Sequence, residues 1–485
     1  MAFSRPREPM PLSLFQALVP IVCLIGLLGL GFYLYGDEAA GGPNQIALIF
    51  ATMIASLTGW LRGHTLESMR NAAIESVSTG LSAIFILLAV GSLIGTWAMS
   101  GTLMAMVYYG LQLLSPDYFY MSAALICAAV SLSIGSSWTV AGTIGIGLIG
   151  ISQEMGLDPA ITAGAIISGA YFGDKSSPLS DTTNLACAAS GANLYDHIKA
   201  TLLTSAPALI LALAIFLLLG APGDFNADAT IAGLREAFAP SPWHFLPLIV
   251  VLALAILRLP PFSTIFIGAL VGGLVAVTME TEHVIAFAAA PGLPDGVALL
   301  KGVWSAMATG YTSATGDASI DVLLSRGGME SMLGTIWLII VALAFGGIVE
   351  KAGVLDRLIT PVIRAAKSTG ALVTTLVGAA ITTNVLAADQ YIAIVLPGRM
   401  FRSAFEARSL PPTALSRAVG DSATVTSPLI PWNSCGAYMA AALAVPTVAF
   451  APYCFFNILN PMVTVLFAFL FLPNSPPAQG ETSAA

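Results

Sequence analysis

The chain has 485 residues, 57% of them apolar and only 9% charged, with a mean hydropathy of +0.87 and a net charge of −8. A soluble domain carries roughly 25% charged residues, so a soluble globular fold is excluded. An acidic chain without a basic patch also excludes a nucleic-acid partner. The five cysteines (Cys23, Cys127, Cys187, Cys435 and Cys454) lie scattered in or beside apolar runs, which indicates neither a zinc site nor a disulfide framework.

Many apolar runs approach the ~20 residues that cross a bilayer as a helix. They are long, rich in Leu, Ala, Ile and Gly, and not alternating, which predicts a helical bundle in the lipid bilayer rather than a barrel. Residues 1–10, with Arg5 and Arg7, are expected to form a short cytoplasmic N-terminus. The apolar run from Pro11 to Tyr35 exceeds a signal-peptide core of about 7–15 residues and reads as a retained first helix. Helices are predicted over 11–36, 45–61 and 79–99. Residues 119–155 read as two short apolar arms broken at Ile134-Gly135-Ser136-Ser137, the pattern of a re-entrant hairpin or, with the same end positions, of two short full spans, an alternative that holds for the second hairpin as well. A helix over 158–195 is interrupted at G-D-K-S-S-P-L-S-D-T-T-N-L-A (173–186), and a helix over 201–220 follows. Past an external linker at 223–242 come helices over 243–258, 262–280 and 331–350, a second hairpin over 369–398, a broken helix over 411–445 and a last helix over 447–472. The loop 281–330 is poor in Lys and Arg and is expected to be external and solvated, Asp317 and Asp321 included. The polar tail 473–485 is expected to be disordered and cytoplasmic.

The two halves resemble each other. V-G-S-L-I-G-T-W-A-M-S-G-T-L (90–103) aligns with F-G-G-I-V-E-K-A-G-V-L (345–355), placing Gly95, Gly101 and Leu103 opposite Gly347, Gly353 and Leu355 at an offset of 252. Gly173-Asp174 answers Gly420-Asp421, and Ser177-Pro178-Leu179 answers Ser427-Pro428-Leu429. Cytoplasmic loops are enriched in Lys and Arg. Lys351, Arg357, Arg364 and Lys367 follow the helix at 331–350, whereas the equivalent stretch 100–117 has no Lys or Arg. Arg399, Arg402, Arg408 and Arg417 likewise have no basic counterpart in 147–165. Equivalent loops then lie on opposite sides, the signature of an inverted repeat. The expected fold is an all-α polytopic membrane protein of about ten full spans and two hairpins, its repeats covering 11–222 and 243–472, with both chain ends cytoplasmic.

The chemistry concentrates at the breaks. A charge at the bilayer centre costs several kcal/mol, and freed backbone carbonyls are tolerated only beside protein or a water-lined cavity. Asp174 and Asp181 lie two helical turns apart, but Pro178 between them argues against a regular helix. Thr183, Asn184 and the neighbouring hydroxyls add neutral oxygens, and the second break offers Asp421, Ser427 and Asn433. The second hairpin carries Asn384 and Asp389 at its expected tip. Such an oxygen-rich set suits a hard monovalent cation. Desolvation also favours the protonated form of a carboxylate, so one site can hold either a proton or a cation, which is enough for exchange. Asp181 and Asp389 equally suit helix caps. Lys175 would snorkel to the interface, neutralise Asp174, or take part in transport. Arg399 reads as a topology anchor, the four histidines as interfacial residues, and Trp138 and Trp432 as packing. Lone histidines at helix ends supply no catalytic constellation, so no enzyme and no cofactor is expected.

G-A-Y-F-G-D-K-S-S-P-L-S-D-T-T-N-L-A (169–186) closely resembles the signature stretch of NhaC-type sodium/proton antiporters. So do S-S-W-T-V-A-G-T-I-G (136–145), R-G-G-M-E-S-M (326–332), A-D-Q-Y-I-A-I-V-L-P-G-R-M-F (388–401) and T-S-P-L-I-P-W-N-S-C-G-A-Y-M (426–439), all in order. The resemblance implies a bacterial inner-membrane antiporter that exchanges Na⁺ or Li⁺ for H⁺ and serves pH homeostasis. It also implies a wider superfamily with inverted repeats, re-entrant hairpins and often a dimeric scaffold carrying a moving transport domain. Asp174, Asp181, Asp389 and Asp421 would be its cation and proton carboxylates, with Thr183, Asn184, Ser427 and Asn433 as neutral ligands. Some relatives exchange malate for lactate, so a Na⁺/H⁺-coupled organic-anion exchanger is the alternative, with Lys175 as the candidate counter-charge.

Overall fold

A computed structural model describes residues 10–35, 42–220, 240–314, 321 and 324–473. The expected linker at 223–242, the tail from 474 onward, residues 1–9 and Asp317 lie largely or wholly outside the described residues. Among the described residues the chain is helical throughout, apart from one isolated bridge between Tyr311 and Arg326. Eight helices among the described residues are long and apolar enough to cross a membrane, or nine if the pair Ser434–Leu443 and Thr447–Tyr453, bent by 93°, counts as one span. That establishes a polytopic helical membrane protein. Two further apolar helices, Pro242–Ile256 and Phe455–Phe471, are shorter.

The first half runs α1 (Leu14–Tyr35), α2 (Pro43–Leu61), α3 (Leu66–Thr79), α4 (Leu81–Met99), α5 (Thr102–Leu113), α6 (Phe119–Ile134), α7 (137–154), α8 (Pro159–Ser176), α9 (Asp181–Ser190) and α10 (Leu194–Leu218). Sequence reading missed α3, which is not apolar. It is held by local chemistry instead: Thr65 caps it by accepting from the Ser68 N–H, and Glu67 sits in its positive first turn.

The second half runs α11 (Leu246–Ile256), α12 (Pro261–Met279), α13 (Thr281–Ala288), α14 (Asp295–Thr309), α15 (Leu333–Lys351), α16 (Val354–Ala365), α17 (Thr369–Ala387), α18 (Gln390–Glu406), α19 (Pro412–Val419), α20 (Ser434–Leu443) and α21 (Phe455–Phe471). The stretch expected as a solvated loop at 281–330 instead contains α13 and α14. It returns to the bundle at Gly328, whose N–H donates to the Gly91 carbonyl at 2.7 Å. Asp321 there accepts from the Ser313 hydroxyl at 2.7 Å. The first arms of both expected hairpins, Pro116–Ile134 and Thr369–Ala387, have span length by themselves.

Turn geometry recurs at fixed spacing along the chain. Left-handed residues end or join helices at Gly101 and Gly353, at Gly135 and Ala388, and at Gly191 and Ala444, offsets of 252, 253 and 253. Ser136 and Asp389, again 253 apart, each cap the next helix with a side-chain oxygen. A proline opens α8 at 159 and α19 at 412.

One contact does most to position the site. Gly169 and Gly173 on α8 face α6 so closely that a Cβ on either would lie 2.0 Å from the Ala124 carbonyl or 2.5 Å from that of Ala128. Two small residues one turn apart let helix backbones meet in a membrane. The Ser131 hydroxyl bonds the Ala170 carbonyl at 2.6 Å across the same seam. The end of α8, with Asp174, is thereby held beside the end of α6.

Candidate functional site

Both broken helices stop where the sequence said they would. Ser177 is extended, as a residue before proline must be, and α8 ends at Ser176. The chain restarts at α9 with Ser180 as the cap, accepting from the Thr183 N–H at 3.3 Å. Asp181 is therefore the first helical residue and not the cap. In the second half, α19 passes into a π turn over Gly420–Thr424 and a 3₁₀ turn over Ser427–Leu429 before Asn433 caps α20. A π turn and a proline together free several carbonyls, and such turns are frequent at functional sites.

Each break meets the tip of a helix pair. Gly135, at φ +77°, ends α6 where a Cβ would fall 2.8 Å from the backbone of Leu179 and Ser180. Directly after it, Ser137 gives both its N–H (3.2 Å) and its hydroxyl (2.6 Å) to one oxygen of Asp174, and Ser180 gives its hydroxyl to the other. Asp174 is buried, so three neutral donors stand in for its water shell. At the second tip, Asp389 accepts from the Ile392 N–H at 2.9 Å, as a cap. The tip is bound to its break by Ser434 N–H to the Ala388 carbonyl (2.9 Å), Trp432 Nε1 to the Val385 carbonyl (2.8 Å) and Asn433 Nδ2 to the Asn384 carbonyl (3.1 Å). Trp138 stacks on Tyr438 with ring centres 4.1 Å apart, which ties α7 to α20. Both tryptophans thus do the packing expected of them.

Between the two tips lies a cavity of about 70 Å³. Ser136, Trp138, Asp174, Asp181, Thr182, Asp389, Gln390, Tyr391, Ser434 and Cys435 line it, closed on one side by Thr79–Ile86 and Pro261. Three carboxylates face it, and no Lys, Arg or His does. Tyr391 donates its hydroxyl to Asp181 at 2.6 Å, bridging the second tip to the first break.

Asp421 lies elsewhere. It is fully buried and pairs with Lys175, while Thr204 (2.6 Å) and Thr464 donate to its other oxygen. Lys175 also donates to the Ser205 hydroxyl at 2.8 Å. It therefore neither snorkels to the interface nor neutralises its neighbour Asp174. The expected neutral ligands make hydrogen bonds of their own as donors. Thr183 donates to the Lys175 carbonyl (3.0 Å), Asn184 is exposed and donates to the Ser180 carbonyl (2.7 Å), Ser427 donates to the Thr424 carbonyl (2.8 Å), and Asn433 holds Asn384. Of the eight expected site residues, the structure gathers Asp174, Asp181 and Asp389 around one cavity and places Thr183, Asn184, Asp421, Ser427 and Asn433 outside it. Sequence reading missed Ser136, Ser137, Tyr391 and Ser434. Their signal was position alone, since each flanks a break or tip. Two histidines also depart from the interfacial expectation: His197 is buried against Ser416 (2.8 Å), and His244 against Glu280 (3.3 Å).

Buried carboxylates and hydroxyls around a small cavity between interrupted helices are the features of a membrane transporter. Residues 169–470 match the Na⁺/H⁺ antiporter family. The chain is 35% identical over 430 residues to the Na⁺/H⁺ antiporter NhaC of Alkalihalophilus pseudofirmus, covering 88% of this chain and 90% of that protein. It is 36% identical over 465 residues to the arginine/ornithine antiporter ArcD of Halobacterium salinarum, covering 94% and 92%. It is 32% identical over 450 residues to the malate-2H⁺/Na⁺-lactate antiporter of Bacillus subtilis, covering 91% of each. The protein belongs to the Na⁺/H⁺ antiporter family, as its motifs implied, and is a multi-pass membrane antiporter.

Proposed function

We propose that the protein moves Na⁺ or Li⁺ out of the cell in exchange for external H⁺ by alternating access. Asp174 is the central carboxylate, with Asp181 and Asp389 sharing its cavity. The observation that carries this reading is the cavity lining: three carboxylates, several hydroxyls and no basic side chain. An organic anion would need a cation or helix N-termini facing it. Lys175, the candidate cation, is committed to Asp421, and the helix N-termini that reach the cavity, at Asp181, Gln390 and Ser434, share it with the three carboxylates, which repel an anion. Size points the same way. Sites for small organic molecules run to about 300–1,000 Å³, whereas about 70 Å³ accommodates an inorganic cation and a few waters. This argues equally against an amino acid such as arginine.

The recurrence of left-handed turns and caps at 252–253 residues supports two repeats, and the Lys/Arg asymmetry supports their inversion, with the basic end and both termini in the cytoplasm. In this reading the membrane is the bacterial inner membrane, and the assembly is the homodimer that the family resemblance implies. The test is collapse of an acid gradient in everted membrane vesicles. Addition of NaCl should collapse it, and choline chloride, arginine and choline malate should not. A response to malate or arginine with none to NaCl would replace the proposed substrate.

A further inference from the structure

A second cavity, of about 460 Å³, opens at the Lys/Arg-rich end of the bundle between α3, α15, α16 and α18. Gly347 sets its width. A Cβ there would fall 2.6 Å from the Ala72 carbonyl and from Ser76 Cβ, so only glycine lets α15 lie this close to α3. One turn beyond these contacts, Glu350 and Glu75 both line the cavity, with Asp356 from α16. Glu350 is near enough to repel both Glu75 and Asp356, and Lys351 is the single basic side chain in the lining.

Two further features point to a cation. Ser76 also lines this cavity; it is only 6% exposed, and its hydroxyl has no hydrogen-bond partner among the described residues. A buried hydroxyl without a partner is rare in a folded chain and offers a neutral oxygen ligand. The cavity also abuts the Asp174 site. Thr79 lines both, and Ile392 of the outer cavity directly follows Tyr391 of the inner one. The two cavities therefore meet at Thr79 and along the backbone from Tyr391 to Ile392.

We propose that the outer cavity is a staging site for the transported cation. A hydrated monovalent cation is held there among Glu75, Glu350, Asp356 and the Ser76 hydroxyl before passing Thr79 and Tyr391 to Asp174. The inference rests on the Asp174 cavity being the ion site. A cleft lined by one sign of charge raises the local concentration of the opposite ion, and the effect weakens as salt rises.

The experiment is the Na⁺ dependence of exchange in everted vesicles, in which the basic end faces the bath. Glu75→Gln with Glu350→Gln should raise the half-saturating Na⁺ concentration about three- to tenfold at an unchanged maximal rate. Lys351→Gln should lower it, an opposite sign that mere structural damage would not produce. Added choline chloride should raise the half-saturating concentration of the wild type more than that of the double variant. Wild-type half-saturation in the double variant, at equal protein in the membrane, overturns the staging site. So does a fall in maximal rate with half-saturation unchanged. If the wild type itself gives no response to NaCl, the exchange reading falls together with the staging site. If it responds normally and only the vestibule variants are silent, the staging site alone falls.

Discussion

Asp174 and Asp421 follow the same Gly-Asp pair in two matching stretches, and both are buried, yet they meet different partners. Asp174 faces a cavity and is held by Ser137 and Ser180, all neutral donors. Asp421 is closed into an ion pair with Lys175 and two threonines. The difference follows from one residue in the first stretch. The position after Asp174 is a lysine, and its ammonium crosses to the second break, whereas the residue after Asp421 is Ser422, bonded to its own helix at the Ala418 carbonyl (2.6 Å). One break thus gives its carboxylate to an ion pair with the other break, and the other keeps its carboxylate beside a cavity with neutral donors only. Matching sequence stretches here place the two aspartates alike and leave their partners different.

The sharpest way to break this comparison is to neutralise each aspartate in turn. Asp174→Asn should reduce Na⁺-driven exchange to background, at least about 100-fold, with normal amounts of protein in the membrane. Asp421→Asn should instead reduce the amount of folded protein, because it leaves a buried ammonium without its partner at a cost of about 3–5 kcal/mol. Lys175→Met should do the same from the other side. Combining Lys175→Met with Asp421→Leu should recover much of the folded protein, measured by detergent-solubilised thermal unfolding, because an apolar pair removes both stranded charges. Equal transport loss with equal folding in Asp174→Asn and Asp421→Asn would erase the distinction.

Gly135→Ala tests the contact between the first tip and the first break. A left-handed alanine costs about 1–2 kcal/mol, and its Cβ would meet the backbone at Leu179 and Ser180. Exchange should fall severely, with thermal stability lowered by at least that amount. The smallest expected effect is that of Tyr391→Phe. It removes one hydrogen bond to an exposed carboxylate, worth about 1 kcal/mol, so the half-saturating Na⁺ concentration should shift by only about fivefold or less. A complete loss of exchange would make Tyr391 an ion ligand.

The long helices and both breaks were legible because hydropathy and proline act locally. Pro178 ended α8 and Pro428 sat in the second break, as read from the chain alone. The polar α3 was not legible, since its apolar content is too low to register as a span, and α14 was hidden in a stretch judged only by its lack of Lys and Arg. At the site, the carboxylates were visible as rare charges in an apolar chain. Their sorting was not, because Lys175 finds Asp421 across 246 residues and Tyr391 finds Asp181 across 210. Those pairings depend on how the tips dock against the breaks, and no local pattern encodes that. The neutral oxygens expected as ligands make local bonds for a related reason. Thr183, Asn184 and Ser427 donate to carbonyls within a few residues of themselves, or of their own break.

The most direct test of the account is Na⁺ binding to purified protein, followed with radioactive sodium at equal amounts of folded wild type, Asp174→Asn and the Lys175→Met/Asp421→Leu pair. The account predicts saturable binding in the wild type, its loss in Asp174→Asn, and its retention in the paired variant. Binding that survives in Asp174→Asn but disappears in the paired variant would contradict it and move the ion to Asp421.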